Sequence, residues 1–137
     1  MDLTAVFEGL AAAADQIDGL RCHAFTPDSI VPPTFFVVDA EIQFDLTFSR
    51  GMDDINPITC RLLVSRASDR AGHKALQSYM AGAGPMSVKA ALEDDPTLGG
   101  ACDSLHVMRV TGMGLYQHAN TEYIGADFSV RVIGSGG

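Results

Sequence analysis

From Ile124 to Val132 the chain alternates without a lapse. Ile124, Ala126, Phe128, Val130 and Val132 are apolar, and Gly125, Asp127, Ser129 and Arg131 lie between them. Successive side chains on a strand point to opposite faces, so this run specifies a strand with one buried face and one polar face. Such a strand needs neighbours beside it and a second layer over its apolar side. Two further runs show the same period. Ile42, Phe44, Leu46 and Phe48 alternate with Gln43, Asp45 and Thr47, while Ile58, Cys60, Leu62 and Val64 alternate with Thr59, Arg61, Leu63 and Ser65. Between them Ser49–Asn56 reads as a polar break, which predicts a long hairpin whose first strand projects as an arm. Ahead of it, Phe35–Val38 is apolar without alternation and predicts a separate short strand covered on both faces.

Helical spacing fills the other segments. Leu3, Val6, Phe7, Leu10, Ala14 and Ile17 step by three and four, which predicts an amphipathic helix started by Asp2 and ended near Asp18-Gly19. A short strand through Leu20–Phe25 follows, and Pro27, Pro32 and Pro33 make Thr26–Thr34 a loop or extended edge. Ser68 or Asp69 opens a second helix with Gly72, Ala75, Leu76, Tyr79 and Met80 as its apolar stripe, stopped by Gly82-Ala83-Gly84-Pro85. Ser87 can cap a short third helix that places Val88, Ala91 and Leu92 on one face. Pro96 ends it, and Gly99-Gly100 turn the chain into a strand from Leu105 to Thr111 that continues through Leu115-Tyr116 past a kink at Gly112 and Gly114. A turn at His118–Thr121 leads to the last strand. Strands and helices that do not alternate one by one predict an α+β fold. The expected architecture is a mixed, mainly antiparallel sheet with two to three helices on one face and a projecting hairpin arm. Residues 1–137 read as a single domain.

Composition narrows the chemistry. The chain carries 17 acidic and 9 basic side chains, a formal net charge of −8, so it repels phosphate backbones as a whole. No apolar run reaches the ~18 residues of a membrane span, and Asp2 and Glu8 stand where a secretory signal carries cations. Production in the cytoplasm is expected. Cys22, Cys60 and Cys102 are odd in number and unpaired in spacing, which fits buried or half-buried thiols rather than a disulfide frame or zinc knuckle. His23, His73, His106 and His118 fall on separate elements, with no HxxxH or HExxH pair to share a helix face. Cys22 and His23 are adjacent on a strand and so point apart, which defeats a nucleophile–base pair. Asp53-Asp54 and Glu93-Asp94-Asp95 lack the spacing of a calcium loop and read as solvated loop charge, the second cluster with a role in its turn or for an outside partner. No catalytic, metal or cofactor site is expected.

Several segments carry a family resemblance. Arg50-Gly51-Met52-Asp53-Asp54, then an alternating strand, then Ser65–Ala71, Ser87–Gly100 and Tyr123–Phe128 resemble, in order along most of the chain, the tail-terminator (tail-completion or minor tail) proteins of long-tailed phages. The resemblance implies a ring-forming α+β subunit, usually six copies, that caps the finished tail tube and supplies the head-joining surface. Its implied partners are further copies of itself, the tail-tube protein and the head–tail connector protein, with DNA crossing the lumen without specific binding and no membrane or cofactor involved. The implied location is the virion tail, after synthesis in the host bacterial cytoplasm. An exposed apolar strand needs a cover, either its own sheet folded back or a neighbouring copy; for the second, Phe44, Phe48, Arg50, Met52, Asp53, Asp54 and Ile55, on or beside the expected arm, are the candidate subunit-interface residues. The alternatives are a head–tail adaptor or stopper, a tail-tube protein, or a small ligand-binding or enzymatic α+β domain. An enzyme needs a deep pocket with convergent polar groups.

Overall fold

In a computed structural model, residues 1–44, 52–66 and 69–135 are described, with only the backbone of Asp69 and Ser135. Helix α1 spans Leu3–Ala14, β1 Arg21–His23, β2 Thr34–Gln43 and β3 Met52–Val64. They are followed by α2 over Asp69–Met80, α3 over Val88–Glu93, a 3-10 turn at Leu98–Gly100, β4 over Ser104–His118 and β5 over Thr121–Ser135. The described strands form one five-stranded sheet in the order β1-β2-β3-β5-β4. β1 runs parallel to β2, and the other pairs are antiparallel. The fold is α+β, as the pattern of elements predicts.

Local chemistry sets the element ends. The Asp2 carboxylate accepts from the Thr4 amide at 3.0 Å and caps α1. α1 ends at Ala14, short of the expected end near Asp18-Gly19, and Gly19, at φ 80°, turns the chain beyond it towards β1. Ser87 caps α3 twice over. Its hydroxyl accepts from the Ala90 amide at 3.1 Å and donates to the Ala81 carbonyl at 2.6 Å, tying α3 to the end of α2. Asp95 then shapes the turn beyond α3, accepting from the Thr97 amide (3.1 Å), the Thr97 hydroxyl (2.7 Å) and the Gly99 amide (2.9 Å). Those bonds, led by the Thr97 hydroxyl, hold its carboxyl below the usual range.

The apolar faces meet where the periodicities place them. Ile124, Ala126, Phe128, Val130 and Val132 of β5 are buried with Ile58, Cys60, Leu62 and Val64 of β3, Phe35 and Val37 of β2, and Leu105 and Val107 of β4. Val6 and Leu10 of α1, Leu76 and Tyr79 of α2, and Val88 and Leu92 of α3 close the same core from the helical side. Three expectations need correction. Phe35–Val38 and Ile42 belong to one strand, because a register shift between Val37 and Asp39 lets the apolar positions change phase without breaking the ladder. The polar break is shorter than Ser49–Asn56, since β3 begins at Met52; a second shift between Ile55 and Ile58 accommodates Pro57, whose missing amide then costs no rung. Ala75 is exposed on α2 and not part of its buried stripe.

The second face of the sheet is covered at one end by the chain itself. β4 shifts register between Thr111 and Gly114, with Gly112 at φ 70°, and the Tyr116 hydroxyl donates to the Gly112 carbonyl at 2.6 Å. Past this bend the β4–β5 hairpin leans over the sheet: the His118 ring lies 5.8 Å from that of Phe36, and His118 Nε2 lies 2.8 Å from the Pro27 carbonyl oxygen. A Cβ on Gly125 would sit 2.4 Å from the Leu62 carbonyl oxygen, so the close approach of strands here requires glycine. Phe36 and Leu63 are buried under this cover.

Candidate interaction surface

The candidate interface residues separate into distinct environments. Phe44, just past β2, is 70% exposed. Met52 and Asp53 are half-buried at the start of β3, opposite Ser135 and Gly134 of β5. Ile55 is 1% exposed and packs in the core across from Ile42 and Val132. Phe48, Arg50 and the tip of the expected arm lie outside the described residues. The described flanks of that hairpin are ladder strands of the main sheet, paired as far as Gln43 opposite Asp54.

Asp54 corrects the reading of the Asp53-Asp54 pair as solvated charge. Its carboxylate is 4% exposed as a residue and accepts from Arg131 Nε at 3.1 and 3.2 Å and from Arg131 Nη2 at 2.8 Å. A guanidinium meets a carboxylate through two parallel donors in this way, which satisfies a charge that water does not reach. Arg61 and Asp127 form a second such pair on the same sheet face, with Nε–Oδ1 at 2.8 Å and Nη2–Oδ2 at 3.1 Å, and the guanidinium carbon 4.6 Å above the Tyr116 ring. The Asp127 bond raises the Arg61 pKa further. Both pairs knit β3 to β5. They make this face polar and rigid.

Sequence reasoning missed the sheet margins. β1 covers only Thr34–Phe36 of β2, and the Thr26 hydroxyl donates to the Val37 carbonyl at 3.2 Å. From Val38 to Gln43 the outer edge of β2 makes no hydrogen bond among the described residues, and Asp39 and Glu41 are exposed there. On the opposite margin, Glu93 Oε2 accepts from the Val107 amide of β4 at 2.9 Å, and the Gly112 carbonyl is taken by the Tyr116 hydroxyl. Met108, Met113 and Leu115 are 54%, 42% and 61% exposed along β4. A signal existed: Ser104–His118 holds no carboxylate in a chain with 17.

Concave sites among the described residues include three that are open to solvent. An apolar one, of about 310 Å³, lies between Pro33, Val64 and the Ala71, Ala75 and Tyr79 side of α2. A second, of about 400 Å³, lies beside Met1, Asp2, Cys102 and Asp103. Neither gathers the convergent polar groups of an active site. Among the described residues no three His, Cys, Asp or Glu side chains come together as a metal site, and no helix is long and apolar enough to cross a membrane. No protein-family model matches the chain, and no curated protein matches it.

Proposed function

We propose that this protein is a structural subunit of a phage tail, a terminator that assembles into a ring on the finished tube and presents the surface to which the head is joined. The reading starts from the resemblance carried in sequence by Arg50–Asp54, Ser65–Ala71, Ser87–Gly100 and Tyr123–Phe128. The observation that carries it is the exposure of Phe44, Met108, Met113 and Leu115 at the margins of a well-packed sheet. Apolar side chains of this size at exposed strand margins suit protein contacts, and paired carboxylates and guanidiniums on the sheet face suit a rigid building block. The ring is taken to be a hexamer, with the tube protein and the head–tail connector protein as its neighbours. The net charge of −8 suits a lumen that DNA crosses without adhering.

Electron microscopy of phage particles made without the protein tests this. Tails of unregulated length, or normal tails without heads, are the expected result. Normal, head-bearing tails in its absence would remove the terminator role. An adaptor or stopper would instead leave heads leaking DNA, with free tails of correct length.

A further inference from the structure

Among the described residues, two backbone edges at opposite margins of this sheet are left without a ladder partner, and they differ in charge. The open half of β2, Val38–Gln43, carries Asp39 and Glu41 and no cation. The open part of β4 beyond Val107 carries Arg109 and no anion, with His106 just before it. We propose that these two edges pair with one another between copies, β4 of one protomer adding to the open half of β2 of the next. This rests on the self-assembling reading above and names the surface through which it occurs.

Geometry and charge select this junction over others. Asp39 pairs with Thr59, and Arg109 with Ser129, and both partners point to the sheet face away from the helices. Asp39, Glu41 and Arg109 therefore share one face, and across a new ladder they become cross-strand neighbours of opposite sign. β2 and β4 run in opposite directions within the sheet, so a rotation about an axis along the strands brings them together antiparallel. Pairing β4 with β4 would set Arg109 near Arg109, and pairing β2 with β2 would set carboxylates together. Like charges disfavour both symmetric junctions and leave the head-to-tail one. The register shifts around Met108 and between Thr111 and Gly114 confine the straight run that carries Arg109 to Arg109–Thr111, so the ladder added there is short. Association is accordingly weak and concentration-dependent.

Sedimentation velocity of the full chain over a concentration series tests the pairing with two variants, D39K/E41K and R109E. All three side chains are exposed, and circular dichroism with thermal melting confirms that each variant is folded. Each variant alone should associate about tenfold more weakly than the wild-type chain, because every junction now sets like charges together. An equal mixture should recover association, since the lysine edge of one variant meets the glutamate edge of the other. Local damage cannot produce that recovery. Variants that associate like wild type, or a mixture that fails to recover, would overturn the pairing and leave self-assembly through another surface standing. A wild-type chain that stays monomeric across the series would also overturn the pairing; the terminator role is judged separately, by tail length and head joining.

Discussion

At the scale of single residues, burial decides what the reactive groups can do. Cys22 has its thiol pushed up to about 12, mainly by burial and then by Asp15, and Cys102 has its thiol pushed up to about 11, mainly by burial and then by Asp103. Cys60, enclosed between the strands, is shifted upward as well, again mainly by burial. The thiolate is the nucleophile, so a thiol that stays protonated in the fold is inert at neutral pH. Titration with a chromogenic disulfide at pH 8 should find the native thiols slow and all three fast in denaturant. The same shifts have a stability consequence of definite sign. A thiol whose folded pKa lies above its unfolded value of 9.0 keeps a proton that the unfolded chain releases. Stability is therefore undiminished below pH 9 and falls as pH rises from there towards 12. Melting temperatures measured from pH 8 upward should decline with that onset, and C22A should soften the decline. The buried and half-buried thiols were legible from composition. The fate of Asp54 was not, because its partner Arg131 stands 77 residues away and only strand pairing brings it within 2.8 Å.

At the scale of elements, features set by near neighbours in sequence were the readable ones. The cap at Ser87, the stop at Pro96 and the alternation of β5 all depend on a few adjacent residues. Joining Phe35–Val38 to Ile42, and seating Met52–Asn56 in a strand, depended on β-bulges that sequence periodicity takes for interruptions. The bend that carries His118 over Phe36 was signalled by Gly112 and Gly114, but its destination was not. Ser87 offers the sharpest test of element-level reasoning, since its hydroxyl both accepts and donates. S87A should cost about 1–2 kcal/mol in urea unfolding, the worth of a cap. S87T, which retains both roles, should recover part of the loss. S87D can accept from Ala90 but cannot donate to Ala81, and it places a charge at a site 1% exposed. It should therefore be no better than S87A. Equal stability for S87A and wild type would show that the cap contributes nothing here. Glu93 plays a related part at the other end of α3. Burial alone would raise its carboxyl, but the bond to Lys89 and the Val107 amide outweigh that and hold it below 4.5. What it contributes to stability is present above that pH and lost as pH falls below it.

For the whole molecule, the sheet is the organising fact: one face is sealed by α1, α2 and α3, and the other is held by ion pairs and a folded-over hairpin. The class of fold was legible because periods of two and of 3.6 residues are written locally. The open edges of β2 and β4 were not, since an edge exists only once the strand order is known. Charge behaves in the opposite way, being legible in total and resolved only in place. Among the described residues, four of the chain's nine Lys and Arg side chains are already held by carboxylates: Arg61 by Asp127, Arg66 by Glu122, Lys89 by Glu93 and Arg131 by Asp54. Binding to duplex DNA requires cations free to displace the counterions around phosphates, and each such contact steepens the dependence on salt. A chain at −8 with its cations so committed should not retard a short duplex in a gel even at about 50 mM salt. Assembly should not change this, because pairing β4 with β2 consumes Arg109 as well. Retention that weakens steeply with added salt would show that the protein grips the backbone, and a surface that grips DNA cannot line a passage through which a genome must slide.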